Sequence, residues 1–187
     1  MAVLRCYDSV TATALPTTAP LVLAYVDGDY RNWDEVNALF HGTRTRVISV
    51  TVFGLPGAHV IDVEPGNVTP DQATSWAIDE LRAGRRPTIY AGHDWRDATV
   101  TALRRRRVNA DTCDYWLADY VQVSPPLASI RWPRSVPAGF SGWQFADSIP
   151  VGGGHEVDAS VVNVNWARAR GLYRAAPITV TRRRPPC

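Results

Sequence analysis

Apolar and polar positions follow one rhythm over the first hundred or so residues and another afterwards. In the first part, short apolar runs alternate with amphipathic stretches. Val3 to Val10 reads as a strand that carries Asp8 towards its end, followed by a loop rich in Thr, Ala and Pro over 11–20. Leu21 to Asp27 is a buried-type strand. A helix should follow, with Asn32 as its cap, Glu35 three residues on, and Trp33, Val36, Leu39 and Phe40 along one face. Arg46 to Val52 is strongly β-branched and reads as a strand. The run over 59–64 is another, ending in Asp62-Val63-Glu64 and stopped by Pro65-Gly66. The next helix is the clearest: Thr69 caps it, Pro70 fits its first position, Gln72 closes a capping box, and Gly84 ends it after an apolar face of Ala73, Trp76, Ala77 and Leu81. Strand 87–91 follows, and Asp94 is placed to cap a helix over 95–107.

From residue 114 the rhythm changes to strands joined by loops. Strands are predicted over 114–120, 141–146 and 157–162, with a Pro-containing loop that holds Trp132 and a hairpin-like Gly152-Gly153-Gly154 between them. Asn165 to Arg170 gives a short helix ended by Gly171, and Ile178 to Thr181 could add an edge strand. Alternating strand and helix, then strands with little helix between, predict an α/β fold. It is a short TIM-like (β/α) barrel with some helices missing in its C-terminal half. One domain covers 1–171, and 172–187 is a C-terminal extension or interaction tail. The competing architecture is a flat doubly wound sheet, and no glycine fingerprint for a dinucleotide supports it.

Composition narrows the chemistry. At 45% hydrophobic and 20% charged, 187 residues suffice for a real core. All 20 basic residues are Arg, which excludes lysine Schiff-base chemistry and a Lys-dependent phosphate loop. Arg104 to Arg107 fall in a helix's last turn, where cations meet the negative end of its dipole, so a solvated role is favoured over nucleic-acid binding. Cys6, Cys113 and Cys187 are too few and too scattered for a disulfide scaffold and read as two buried thiols and one tail thiol. The longest early apolar run, Leu21 to Val26, is far short of the ~20 residues of a membrane span. The N-terminus lacks the charged start and apolar middle of a signal peptide, so synthesis in a cytoplasm is expected. His41, His59, His93 and His155 lack metal-ligand spacing, and Asp27, Asp29, Asp62, Glu64 and Asp158 are scattered, so neither metal nor cofactor is expected. Gly139 to Trp143 misses a nucleophile elbow because Trp143 stands where Gly is needed.

What remains is the carboxylate pair. Residues two apart in a strand share a face, roughly 7 Å apart at the backbone, so Asp62 and Glu64 are expected to point the same way at a strand's C-terminal end. A like-charge pair there raises one pKa and leaves the other acid ionised. The alternative is a strand-end turn with two solvated acids. Glycoside cleavage needs two carboxyls ~5–5.5 Å apart for retention or ~6.5–9.5 Å for inversion, and rotamers allow either, so stereochemistry stays open. Sugars also stack on flat aromatics, which seven Trp and seven Tyr supply. Trp33, Trp76 and Trp166, on helices, are expected in the core. Trp116 and Trp143, on strands beside acids, are open to either packing or sugar contact.

The series YDSV at 7–10, IDVEPG at 61–66, TIYAG at 88–92, DYWLADY at 114–120, GWQFAD at 142–147 and EVDASVV at 156–162 resembles the family-25 glycoside hydrolases, the muramidase-type lysozymes of many phage lysis enzymes, and related barrels. The resemblance implies cleavage of peptidoglycan glycan strands between N-acetylmuramic acid and N-acetylglucosamine. By position it makes Glu64 the general acid and Asp62 the support of the transition state or attacking group. Asp8 and Asp158 would complete an acidic floor, and Tyr90, Trp116, Tyr120, Trp143 and Gln144 would line the groove. The site of action would be the bacterial cell wall or a phage particle. Short loops and the Arg-Pro tail carry a second reading, a non-catalytic barrel that binds cell wall or serves as a structural subunit of a phage particle through 172–187.

Overall fold

The structure, a computed structural model, describes residues 2–120, 136 and 139–173. Eight strands close into one barrel in sequence order: β1 Val3–Asp8, β2 Leu21–Tyr25, β3 Arg46–Thr51, β4 Val60–Asp62, β5 Thr88–Gly92, β6 Asp114–Ala118, β7 Gly142–Gly152 and β8 His155–Asn163. Neighbours from β1 to β7 run parallel, and β8 lies antiparallel to both β7 and β1. Closure leaves no open edge, which excludes the doubly wound sheet. Helices α1 Trp33–Phe40, α2 Pro70–Arg82, α3 His93–Arg105 and α4 Val164–Ala169 follow β2, β4, β5 and β8. Helices are therefore missing in the N-terminal half as well. A 3-10 turn at Ala12–Ala14 stands after β1, and a loop alone joins β3 to β4.

Local chemistry explains where elements start and stop. The Thr69–Gln72 capping box forms at α2 as its sequence predicts. Asn32 occupies the cap position of α1 without capping it. Its Oδ1 instead accepts from the Tyr25 N–H at 3.0 Å, and its Nδ2 donates to the Ser9 carbonyl at 2.7 Å, which ties the ends of β1 and β2 together. Helix α3 begins at His93 with Gly92 as its cap, so Asp94 lies in the first turn and meets the helix dipole rather than capping it.

Alternate strand residues point into the barrel. Cys6, Leu21, Leu23, Ile48, Val60 and Trp116 build its apolar interior. Trp116 fits because β7 offers glycine opposite it: a Cβ on Gly142 would stand 2.3 Å from the indole. Trp166 of α4 closes the N-terminal end, edge-on to Trp116 at 5.9 Å, with its Nε1 donating to Thr88 Oγ1 at 3.1 Å. Leu172 is buried in the same cluster. Outside the barrel, Trp76 packs with Ile61, Val63 and Leu103 between α2, α3 and the sheet, and Trp33 packs beside Val36 and Phe40, so the helix tryptophans are packing residues. Cys6 and Cys113 are buried free thiols. The expected strand 178–181, Trp132 and Cys187 lie outside the described residues. With apolar side chains filling the N-terminal end, the polar inward positions collect at the other rim.

Candidate active site

That rim carries the acids. Asp8 ends β1, Asp62 ends β4, and Asp158 of β8 stands directly opposite Asp8 in the antiparallel register. Asp8, Tyr25, Asp62, Tyr90, Trp116 and Gln144 line a narrow cleft of about 10 Å³, close to the least that holds one water. Asp8 and Tyr25 also border a hollow of about 270 Å³ with Tyr30, Ser148, Glu156 and Asp158. The mouth is thus open over β1, β2 and β8 and tight over the barrel axis.

Each acid is held differently. Asp158 is gripped at both oxygens: Gln144 Nε2 donates to Oδ2 at 3.0 Å, and the Ser148 N–H donates to Oδ1 at 2.8 Å. That second donor exists because β7 shifts register between Ala146 and Ile149 and holds Ser148 at φ +50°, a left-handed conformation that a bulge beside a site can sustain. Asp8 accepts from the Tyr25 hydroxyl at 3.4 Å, and Asp62 from Asn67 Nδ2 at 3.0 Å. Asp8 Oδ1 and Asp62 Oδ1 are buried without a hydrogen-bond partner. Unpartnered buried oxygens are costly, and a carboxyl in that position favours its neutral form.

Electrostatics follow from this geometry. Burial pushes Asp8 well above the usual carboxylate range, and the charges of Asp158 and Asp62 add to it. Burial and then Glu64 push Asp62 up to about 8, against the pull of Asn67. Glu64 is raised by burial and by Asp158, while Tyr90 pulls it down. Burial also raises Asp158, opposed first by the Ser148 N–H. All four acids are held above the usual carboxylate range.

The barrel brings Asp8, Asp62, Glu64 and Asp158 together, with Tyr90 and Gln144 beside them. Tyr120 is exposed past the end of β6, its hydroxyl 3.5 Å from that of Tyr90. Two expectations need correction. Strand β4 stops at Asp62, so Glu64 reaches the site from a turn, half-buried, rather than by sharing a strand face. Trp143 lies on the opposite side of β7 from Gln144, buried against Phe145 at 5.3 Å with its Nε1 donating to the Asp119 carbonyl at 2.8 Å, because strand side chains alternate. It does not line the groove. Trp116 is the fully buried floor of the cleft, its Nε1 donating to Ser160 Oγ at 3.3 Å, and offers no open stacking face. Tyr25, Asn67 and Ser148 were missed. Strand parity with Leu21 and Leu23 could have found Tyr25, whereas Ser148 depends on a bulge with no sequence signal. Among the described residues, no group of three or more His, Cys, Asp or Glu could hold a metal ion, and no helix is long and apolar enough to cross a membrane.

No protein-family model matches the chain, and no curated protein sequence matches it. Solved structures do. GHIP, a glycosyl hydrolase 25 of Streptococcus pneumoniae participating in host cell invasion, superposes with a TM-score of 0.57 at 11% identity, over 91% of this chain and 92% of its own. The fold is that of the family-25 glycosyl hydrolases. The CTP1L endolysin matches with a TM-score of 0.51 at 12% identity, over 90% of this chain and 70% of its own. At such identity the likeness to the family-25 barrel is one of fold, and chemistry has to be argued from the acids.

Proposed function

We propose that this chain is a glycoside hydrolase that cleaves peptidoglycan glycan strands at the bacterial cell wall, as a muramidase does. The observation that carries the reading is the convergence of Asp8, Asp62, Glu64 and Asp158 at one rim, where Asp158 acts on Asp8 and Glu64, Glu64 on Asp62, and Asp62 on Asp8. Glycoside cleavage needs one carboxyl that keeps a proton and can reach the leaving oxygen, and one negative charge beside the developing oxocarbenium ion. Glu64 suits the first role. It is half-buried and its pKa is raised, so it holds a proton closer to neutrality than a free glutamate. Asp158, with a donor on each oxygen, is the acid best supported as an anion. Asp8 and Asp62 are deeper, and their orphan oxygens suit them to share a proton and orient the reacting groups. Tyr120, exposed on the β5–β6 side with its hydroxyl 3.5 Å from that of the buried Tyr90, is a face on which a sugar ring can pack with the hydroxyl still bonded.

The similarity in fold to an endolysin and to a glycosyl hydrolase 25 supports the same substrate class. The tightness of the cleft over Asp62 favours a second reading, a barrel that binds wall glycan without cutting it, whether alone or within a phage particle. Release of new reducing ends from purified cell wall separates the two. Glu64→Gln should keep the fold and lower the rate by at least ~10²-fold. Equal rates for this variant and the parent would remove Glu64 as the acid, and wall binding without release would establish the second reading.

A further inference from the structure

The turn after β4 holds both acids of the Asp-x-Glu run with one residue. The Asn67 N–H donates to the Glu64 carbonyl at 3.0 Å, and the Asn67 side chain donates to Asp62 Oδ2 at 3.0 Å. Pro65 starts the reversal, and Gly66, at φ +94°, completes it in a conformation that other residues rarely adopt. The chain is thereby folded back so that position 67 overhangs the strand end. An asparagine serving only the turn would bond its own nearby backbone. This one spends its amide on a carboxylate that is 5% exposed and whose other oxygen is buried without a partner.

We propose that Asn67 is a positioning residue for the glycosidase reaction: it pins Asp62 through Oδ2 and leaves Oδ1 as the oxygen available in the cleft. The inference rests on the proposed hydrolase reading. Glu64 from the same turn is the charge that acts on Asp62, and Asp62 in turn raises Asp8 of β1 and the Tyr25 hydroxyl of β2. Burial and Glu64 both disfavour the Asp62 carboxylate, and the Asn67 amide is the contact that favours it. Without it, Asp62 would lose both its orientation and its opposition to burial and to the Glu64 charge.

The test compares Asn67→Ala and Asn67→Asp in the full chain by two readouts, the ¹³C NMR titration of the Asp62 carboxyl and the pH profile of kcat/KM on peptidoglycan. Aspartate keeps the turn preference of asparagine, so one variant retains the local fold even if alanine loosens it. Loss of the donor should move the Asp62 midpoint upward by roughly one pH unit in the alanine variant, and the added carboxylate should move it further in the aspartate variant. The limb of the activity profile should follow in the same order, with kcat falling about tenfold or more and KM little changed. An Asp62 midpoint equal to the parent's overturns the proposal whether or not the chain is active. So does an active chain whose profile keeps its limb, since a merely structural asparagine would lower activity at all pH values alike. A parent that cleaves no wall overturns the hydrolase reading and the positioning role with it, and the NMR titration then reports on the bond alone.

Discussion

Replacing Asp62 by asparagine should make the protein more stable at neutral pH while weakening its chemistry. Asp62 is 5% exposed, and burial and Glu64 raise its pKa to about 8, against about 3.9 for an unfolded aspartate. A folded-state pKa above the unfolded one means that the native state keeps a proton the unfolded chain gives up. The contribution to stability is therefore intact below about pH 4 and declines as pH rises towards 8. At 1.36 kcal/mol per unit, the loss over this window is on the order of 5 kcal/mol as an upper bound, reduced by whatever rearrangement and hydration the ionised site permits. Asn is close in shape to the protonated acid, can still accept from Asn67, and does not titrate. Urea unfolding of parent and Asp62→Asn at about pH 4.5, 6 and 8 reads the difference directly. The variant should be close to the parent at the lowest pH and ahead of it by roughly 2–5 kcal/mol at the highest. Parallel curves over this range would show that Asp62 ionises as freely in the barrel as in the unfolded chain, and the account of a buried, mutually repelling set of acids would fall with it.

Two further outcomes follow from packing and from the chain's end. Gly142→Ala puts a methyl group 2.3 Å from the Trp116 indole and should cost about 1–3 kcal/mol or more, read as a lower urea midpoint; an unchanged midpoint would mean that Trp116 can shift within the barrel. We also propose that residues 174–187 act as an interaction arm, and because Leu172 is buried in the core cluster the deletion should begin after Tyr173. If the full chain and the truncated one show the same mass by light scattering and the same binding to candidate particle proteins, the arm is not an assembly device.

The barrel was legible because its inward positions are written as alternation. Val60 and Asp62, or Leu21, Leu23 and Tyr25, follow one parity, so an acid at the end of an apolar run also marks the end of a strand that faces inward. The same parity should have excluded Trp143 from the groove, since Gln144 cannot face Asp158 unless its neighbour faces away. What sequence could not supply was geometry set by non-local partners. Glu64 lies beyond the last paired residue of β4, and where pairing stops depends on β3 and β5 rather than on the run itself. Asn32 reads as a helix cap because nothing local shows that the Tyr25 N–H and the Ser9 carbonyl lie within its reach.

The same distinction separates the acids by role. Asp8 and Asp158 are far apart in number and meet through the antiparallel closure of β8 on β1, which no local pattern encodes. That closure is also what lets β7 return directly into β8, and the register shift in that hairpin places a backbone N–H on Asp158. An all-parallel barrel would need a crossover between these strands and would lose the hairpin, and the Ser148 donor with it. The reversed last strand is therefore part of the site: it supplies one acid and, through the hairpin, a donor that favours the charged form of that acid against its burial and the charges of Asp147 and Glu156.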